Sequence, residues 1–153
     1  MAMSDRVGFI GLGTMGGPMA TNLAKASVRL AVFDINQAAS AALGKLPGVV
    51  VAATPADVAA QATVVFTCLP NDAIVREVYL GAGGIAAGAR PGLVTCDCST
   101  VSPESTLELH RALSAKGITH LDTPMLGSQP QAVSSEIFFI IGGDASKLET
   151  IAP

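Results

Sequence analysis

This chain of 153 residues has little charge, few cysteines and no long apolar run, and each shortage removes a class of protein. Only 14% of its residues are Asp, Glu, Lys or Arg, against about 25% in typical soluble domains. The net charge is −3 and no Lys/Arg stripe or cluster occurs, so nothing points to a nucleic-acid partner. Half of the residues are hydrophobic, yet no stretch reaches the roughly eighteen apolar residues that a membrane span needs. The segment Gly81–Gly92 is broken by its glycines, Arg90 and Pro91. No charged n-region followed by a long apolar segment opens the chain, so no secretory signal is read, and Met1–Asp5 reads as a short leader.

The three cysteines, Cys68, Cys96 and Cys98, are an odd number in or beside predicted strands. Cys96 and Cys98 stand two apart in one strand and so share a face, with no His/Cys pair at ligand spacing elsewhere. The expectation is reduced, structural thiols in a cytoplasmic protein and no metal. His110 falls in a predicted helix and His120 in a predicted strand, where surface or packing roles are expected.

What is present begins at Arg6. Val7, Phe9 and Ile10 form a buried strand that runs into Gly11-Leu12-Gly13-Thr14-Met15-Gly16. A helical pattern through Met19, Ala20, Leu23 and Ala24 follows, then an apolar strand ending in Asp34. This layout binds the diphosphate of a dinucleotide. Gly11 permits the tight turn, Gly13 lets the backbone approach a pyrophosphate, and Gly16 lets the helix pack on the strand. The first amides of the helix lack intrahelical partners and sit at the positive end of its dipole, so an anion there gains bonds and charge together. The predicted contacts are Gly11, Leu12, Gly13, Thr14, Met15 and Gly16, with Asp34 and Ile35 at the end of the next strand. A carboxylate at position 34 accepts from a ribose diol and repels a 2′-phosphate. Neither Ile35 nor Asn36 is a cation, and Arg29 lies at the far end of the strand, so NAD is favoured over NADP.

Further along, Asn36–Leu43 reads as a helix closed by Gly44 and Val49–Val51 as a strand. Thr54 caps a helix with Pro55 at its first position. Thr63–Leu69 reads as a buried strand, and Pro70-Asn71-Asp72 starts a helix through Tyr79. Residues 81–92 read as a Gly-rich turn and Leu93–Cys98 as a strand. Ser102-Pro103 opens a helix that runs to about Lys116 and ends at Gly117. Ile118–Asp122 and Glu136–Ile141 are two more strands, with a long loop at 123–135 between them. Asp144 or Ser146 starts a last helix. Strands alternating with helices predict one α/β domain: a Rossmann-type, doubly wound, mostly parallel sheet with helices on both faces. Ligands bind such sheets at the carboxyl ends of the strands. The Gly11 turn, Asp34, Leu69-Pro70, Ser99-Thr100 and the 123–135 loop all fall there.

Four signatures together resemble the β-hydroxyacid dehydrogenases, which include 3-hydroxyisobutyrate and 6-phosphogluconate dehydrogenases. They are Gly8 through Ala20, Cys68-Leu69-Pro70, Asp97 through Pro103, and Asp122-Thr123-Pro124 through Gly142-Gly143. The resemblance implies hydride transfer between the nicotinamide and a small 3-hydroxy acid, or reduction of the matching aldehyde or keto acid. It implies that Leu69 and Pro70 line the cofactor groove and that Thr100 touches the nicotinamide end. It also implies that Ser99, Thr100, Gly127 and Ser128 help hold the substrate carboxylate. Ser102 caps the following helix by itself, which leaves Ser99 and Thr100 free for a ligand. The family usually has a Ser-Gly-Gly or Ser-Gly-Ser stretch where this chain has Leu126-Gly127-Ser128, so Leu126 removes a hydroxyl from the expected substrate contact, and Gln131 and Ser135 stand where Gly is usual.

The family's catalytic lysine lies on a helical C-terminal domain through which its members dimerise. Lys25, Lys45, Lys116 and Lys147 do not match it. The expectation is therefore that residues 1–153 are the dinucleotide-binding domain of a longer, oligomeric enzyme, with the lysine beyond Pro153. A fragment of this kind is expected to be inactive alone and to expose apolar surface. Two alternatives are a non-catalytic nucleotide-binding or interaction module and the cofactor domain of an imine reductase.

Overall fold

Strand β1 (Arg6–Ile10) lies mid-sheet because it is apolar on both faces. Val7 and Phe9 pack with Ala20, Ala24, Leu30 and Val32 on one side. Ile10 packs with Val58, Val65, Val75 and Tyr79 on the other. In this computed structural model, which describes residues 6–151, the Met1–Asp5 leader lies outside the described residues. The other strands of the sheet are β2 (Leu30–Phe33), β3 (Val49–Val51), β4 (Ala62–Thr67), β5 (Val94–Asp97) and β6 (Thr119–Asp122). All pair in parallel, in the order β3-β2-β1-β4-β5-β6. This is the Rossmann-type sheet read from the sequence. Helices α1 (Gly16–Lys25) and α2 (Gln37–Leu43) cover one face. Helices α3 (Pro55–Gln61), α4 (Asp72–Leu80), α5 (Ile85–Gly88) and α6 (Pro103–Ser114) cover the other. Chain order reverses between β1 and β4, which opens a crevice at their carboxyl ends.

The helix starts follow the local chemistry. Asn36 accepts from the Ala38 amide, Thr54 from Asp57, Asn71 from Ile74 and Ser102 from Ser105. Helix α1 differs in having no side-chain cap.

Four sequence readings are corrected. The turn at 81–92 contains α5, which inserts Ile85 fully into the core and approaches α3 so closely that a Cβ on Gly88 would lie 2.0 Å from the Ala56 carbonyl oxygen. The 123–135 segment is not a loop. It holds β7 (Met125–Leu126) and α7 (Gln129–Ser134), and Gln131 Oε1 accepts from the Ser128 amide and hydroxyl to start the helix. The strand read at Glu136–Ile141 shrinks to β8 (Phe138–Phe139), antiparallel to β7, because the chain first makes a left-handed turn at Ser135. Cys98 lies just past β5, so it shares burial with Cys96 but not the strand. A 3-10 turn, Ala145–Lys147, leads into α8 (Leu148–Ile151), whose Leu148 and Ile151 pack beside Val64, Val94 and Leu121. Leu126, Val133, Phe138 and Ile140 are exposed apolar side chains of the β7–α7–β8 region. Among the described residues, no helix is long and apolar enough to cross a membrane.

Asp72 joins α4 to α6. Its carboxylate accepts from the Ser102 amide at 2.9 Å, the Ser102 hydroxyl at 2.6 Å and the Ser105 hydroxyl. These donors hold its pKa at about 2, below the ordinary 3.8. A lowered folded-state pKa stabilises the fold above the ordinary value, and that contribution disappears as pH falls through about 2. Asp72→Asn is expected to lower Tm at neutral pH by roughly 2 °C. The loss should shrink toward pH 2 when melting is followed by circular dichroism across the acid range. A Tm difference independent of pH would contradict this assignment.

Candidate functional site

The crevice is built from two close backbone approaches. Gly11 leaves β1 with φ +92°, and a Cβ there would sit 2.1 Å from the Cys68 carbonyl oxygen. A Cβ on Gly16 would sit 1.9 Å from the Gly11 oxygen and 3.2 Å from the Phe9 ring. Both glycines are thus required by the protein's own packing. Gly13 is different: it is exposed, and a Cβ there would meet nothing within 4 Å. No internal contact explains that glycine, whereas close approach of a diphosphate does.

Asp34 closes one side of this turn. Its Oδ2 accepts from the Leu12 amide at 2.6 Å and its Oδ1 from the Asn36 amide at 2.7 Å. The Leu12 amide, expected at the diphosphate, is therefore spent on Asp34, and the Leu12 side chain is buried. The Gly16 amide slightly favours the Cys68 thiolate, against the larger effect of burial. Among the described residues, no acceptor engages the amides of Gly13, Thr14 and Met15. These three consecutive donors at the uncapped start of α1 are what an anion needs, so the residues present fit a dinucleotide.

The crevice above them holds about 530 Å³. Gly11, Gly13, Thr14, Met15 and Gly16 line it together with Asp34, Ile35, Leu69 and Pro70. These predicted residues are brought together. Sequence reasoning missed Phe33, Cys68, Ile74, Glu77 and Val78, which also line it. Ile74, Glu77 and Val78 follow Leu69-Pro70 at i, i+3 and i+4 of α4, so helical periodicity applied from Pro70 onward would have found them.

The residues expected at the substrate do not line this crevice. Thr100 is exposed beyond β5, and Gly127 and Ser128 are exposed ahead of α7. Ser99 is only 3% exposed and is not free. Its hydroxyl donates to Asp97 Oδ1 at 2.6 Å and accepts from the Leu69 amide at 2.9 Å. Asp97 Oδ1 also accepts from the Ser99 amide and, at 2.8 Å, from the Thr67 hydroxyl. Because Thr67 gives its only proton to Asp97, the Tyr79 hydroxyl must donate to Thr67 across their 2.9 Å contact. A directed chain therefore runs from both ends into one carboxylate oxygen.

Asp97 is 1% exposed, and burial pushes its pKa up against the opposing bonds from Ser99 and Thr67. Burial pushes the His120 pKa down to about 4, so the ring is neutral at pH 7. His120 packs edge-on to Tyr79 at 5.3 Å and bonds Thr95 through Nδ1. Burial also raises the Cys68 thiol to about 11 and the Cys96 thiol to about 12. Neither is a thiolate at neutral pH. Among the described residues, no group of three His, Cys, Asp or Glu side chains stands together as a metal would require.

Residues 6–153 match the family model described as the NAD binding domain of 6-phosphogluconate dehydrogenase. The chain is 39% identical over 148 residues to an NAD-dependent L-serine dehydrogenase of Pseudomonas aeruginosa, covering 97% of this chain and 49% of that protein. The structure of Mycobacterium tuberculosis 3-hydroxyisobutyrate dehydrogenase with L-serine superposes with a TM-score of 0.90 at 34% identity, covering 99% of this chain and 50% of that one. Psf3 in complex with NADP+ and 2-OPP superposes with a TM-score of 0.90 at 27% identity, covering 96% and 51%. The chain spans about half the length of the curated relatives it matches.

The contrast between the glycines is testable. Gly16→Ala is expected to cost about 3 kcal/mol or more, because both atoms it meets are held by packing. Gly13→Ala should change stability by no more than about 0.5 kcal/mol, yet weaken a dinucleotide by about tenfold or more through lost close approach. Chemical denaturation and NADH fluorescence titration check the pair. Equal stability losses at both positions would contradict the distinction.

Proposed function

The chain belongs to the family of the NAD-binding domain of 6-phosphogluconate dehydrogenase, and on that premise we propose that it is the cofactor-binding half of an NAD-dependent dehydrogenase of small 3-hydroxy acids. The observation that carries the reading is the Asp34 carboxylate, tied to the Leu12 and Asn36 amides beside three open amides of the α1 start. The diphosphate would rest on the amides of Gly13, Thr14 and Met15. The adenosine ribose would lie at Asp34 and Ile35, with Leu69 and Pro70 lining the same crevice. Bound NAD supplies a hydride acceptor at C4 of the nicotinamide. Thr100, Gly127 and Ser128, beyond β5 and ahead of α7, would serve the substrate carboxylate. The Ser99 hydroxyl would reach it only by giving up the bond it donates to Asp97.

The preference for NAD over NADP rests on geometry. Both Asp34 oxygens already hold amides, so the carboxylate cannot swing aside for a 2′-phosphate. The residues beside it, Ile35 and Asn36, bring no compensating positive charge. Relatives whose names carry L-serine or 3-hydroxyisobutyrate support a small hydroxy acid as substrate. The general acid/base lysine would come from a helical domain outside residues 1–153, through which the parent enzyme pairs with a second copy. This reading has that enzyme working in the cytoplasm.

Calorimetric titration is expected to give NAD at least about tenfold tighter binding than NADP, a difference of about 1.4 kcal/mol. Asp34→Asn keeps an acceptor but removes the charge, and should bring the two cofactors within about threefold. Tighter NADP binding by the unaltered chain would overturn the cofactor assignment. No binding of either cofactor by folded protein would overturn the functional one.

A further inference from the structure

We propose that Asp97, which does not itself line the dinucleotide crevice, is the positioning residue that sets the wall of that crevice through Ser99. This rests on the functional reading above. The Leu69 amide begins the wall, and its hydrogen ends on the Ser99 hydroxyl. That hydroxyl has one proton, and Asp97 Oδ1 takes it at 2.6 Å. Asp97 thereby fixes which way the Ser99 lone pairs point, and so where Leu69 sits. The Ser99 amide on the same oxygen locks the turn that carries Ser99.

From the far side Thr67, steered by Tyr79, holds Asp97 in place. Ion pairing does not explain the carboxylate, since no Lys or Arg bridges to it among the described residues. Its Oδ2 is buried without a partner. A buried acceptor in that state costs stability rather than adding it, which argues that Oδ1 is kept for orientation. Leu69 lines the same crevice as Asp34 and Ile35, so a displaced wall changes the space a nucleotide has to fit.

The test uses the full chain, with amide hydrogen exchange read without nucleotide and NADH affinity read by fluorescence. Asp97→Ala is expected to speed exchange at Leu69 by about tenfold and weaken NADH by a similar factor, the scale of one charge-assisted bond. Asp97→Asn, which keeps the acceptor, should restore both to within about threefold. Ser99→Ala should match Asp97→Ala, and the double variant should be no worse than either, because both break one chain. Asp97→Ser replaces Asp97→Ala if the latter does not fold.

Unchanged Leu69 protection in the Asp97 variants would overturn the proposal. So would additive losses in the double variant, or a loss of protection spread evenly over the sheet. These readouts do not need nucleotide at Leu69, so failure of the unaltered chain to bind NADH would overturn the functional reading instead.

Discussion

The hydrogen bond from the Leu12 amide to Asp34 is the constraint on which the rest of this site depends. At 2.6 Å it joins the turn after β1 to the end of β2, two points 22 residues apart in sequence. It uses one amide of the glycine turn and so defines which amides remain for an anion. It also holds the carboxylate where a nucleoside sugar would meet it. A charge-assisted bond of this kind, with a second amide from Asn36 on the other oxygen, leaves the side chain little freedom. In the proposed reading, phosphate recognition and sugar recognition would therefore be one structure, set before any ligand arrives.

The three glycines of the turn divide along the same line. Gly11 and Gly16 are needed because β1, the end of β4 and α1 touch backbone to backbone. Gly13 is needed by nothing inside the protein. The motif thus combines folding and binding demands that a sequence pattern cannot separate, because all three positions read as the same letter.

Much of the sheet was legible in the sequence for a simple reason. Each central strand is buried on both faces and reads as a short apolar run, and each major helix but α1 starts at a side-chain cap. The crevice was legible where a motif marks it, at residues 11–16 and at Asp34. Legibility failed where tertiary contact overrides local pattern. Ile85 looks like part of a glycine linker until α5 is seen packing on α3. The apolar run 137–141 reads as one strand, yet most of it lies exposed after the left-handed turn at Ser135. Ser99 seemed free because the Leu69 amide, 30 residues away, reaches it only through the sheet, and because no sequence pattern shows that Asp97, two residues back, turns to take its proton. Ile74, Glu77 and Val78 were missed because no motif names them, although their spacing places them on one helix face.

An amide-resolved NMR titration of the chain with NAD tests the central claim most directly. The account predicts the largest shifts at Gly13, Thr14 and Met15, with Ile35, Leu69 and the Ile74–Val78 face following, and a Leu12 amide that keeps its bond to Asp34 throughout. Saturating NAD that leaves residues 13–15 unmoved, or that releases Leu12 from Asp34, would contradict it.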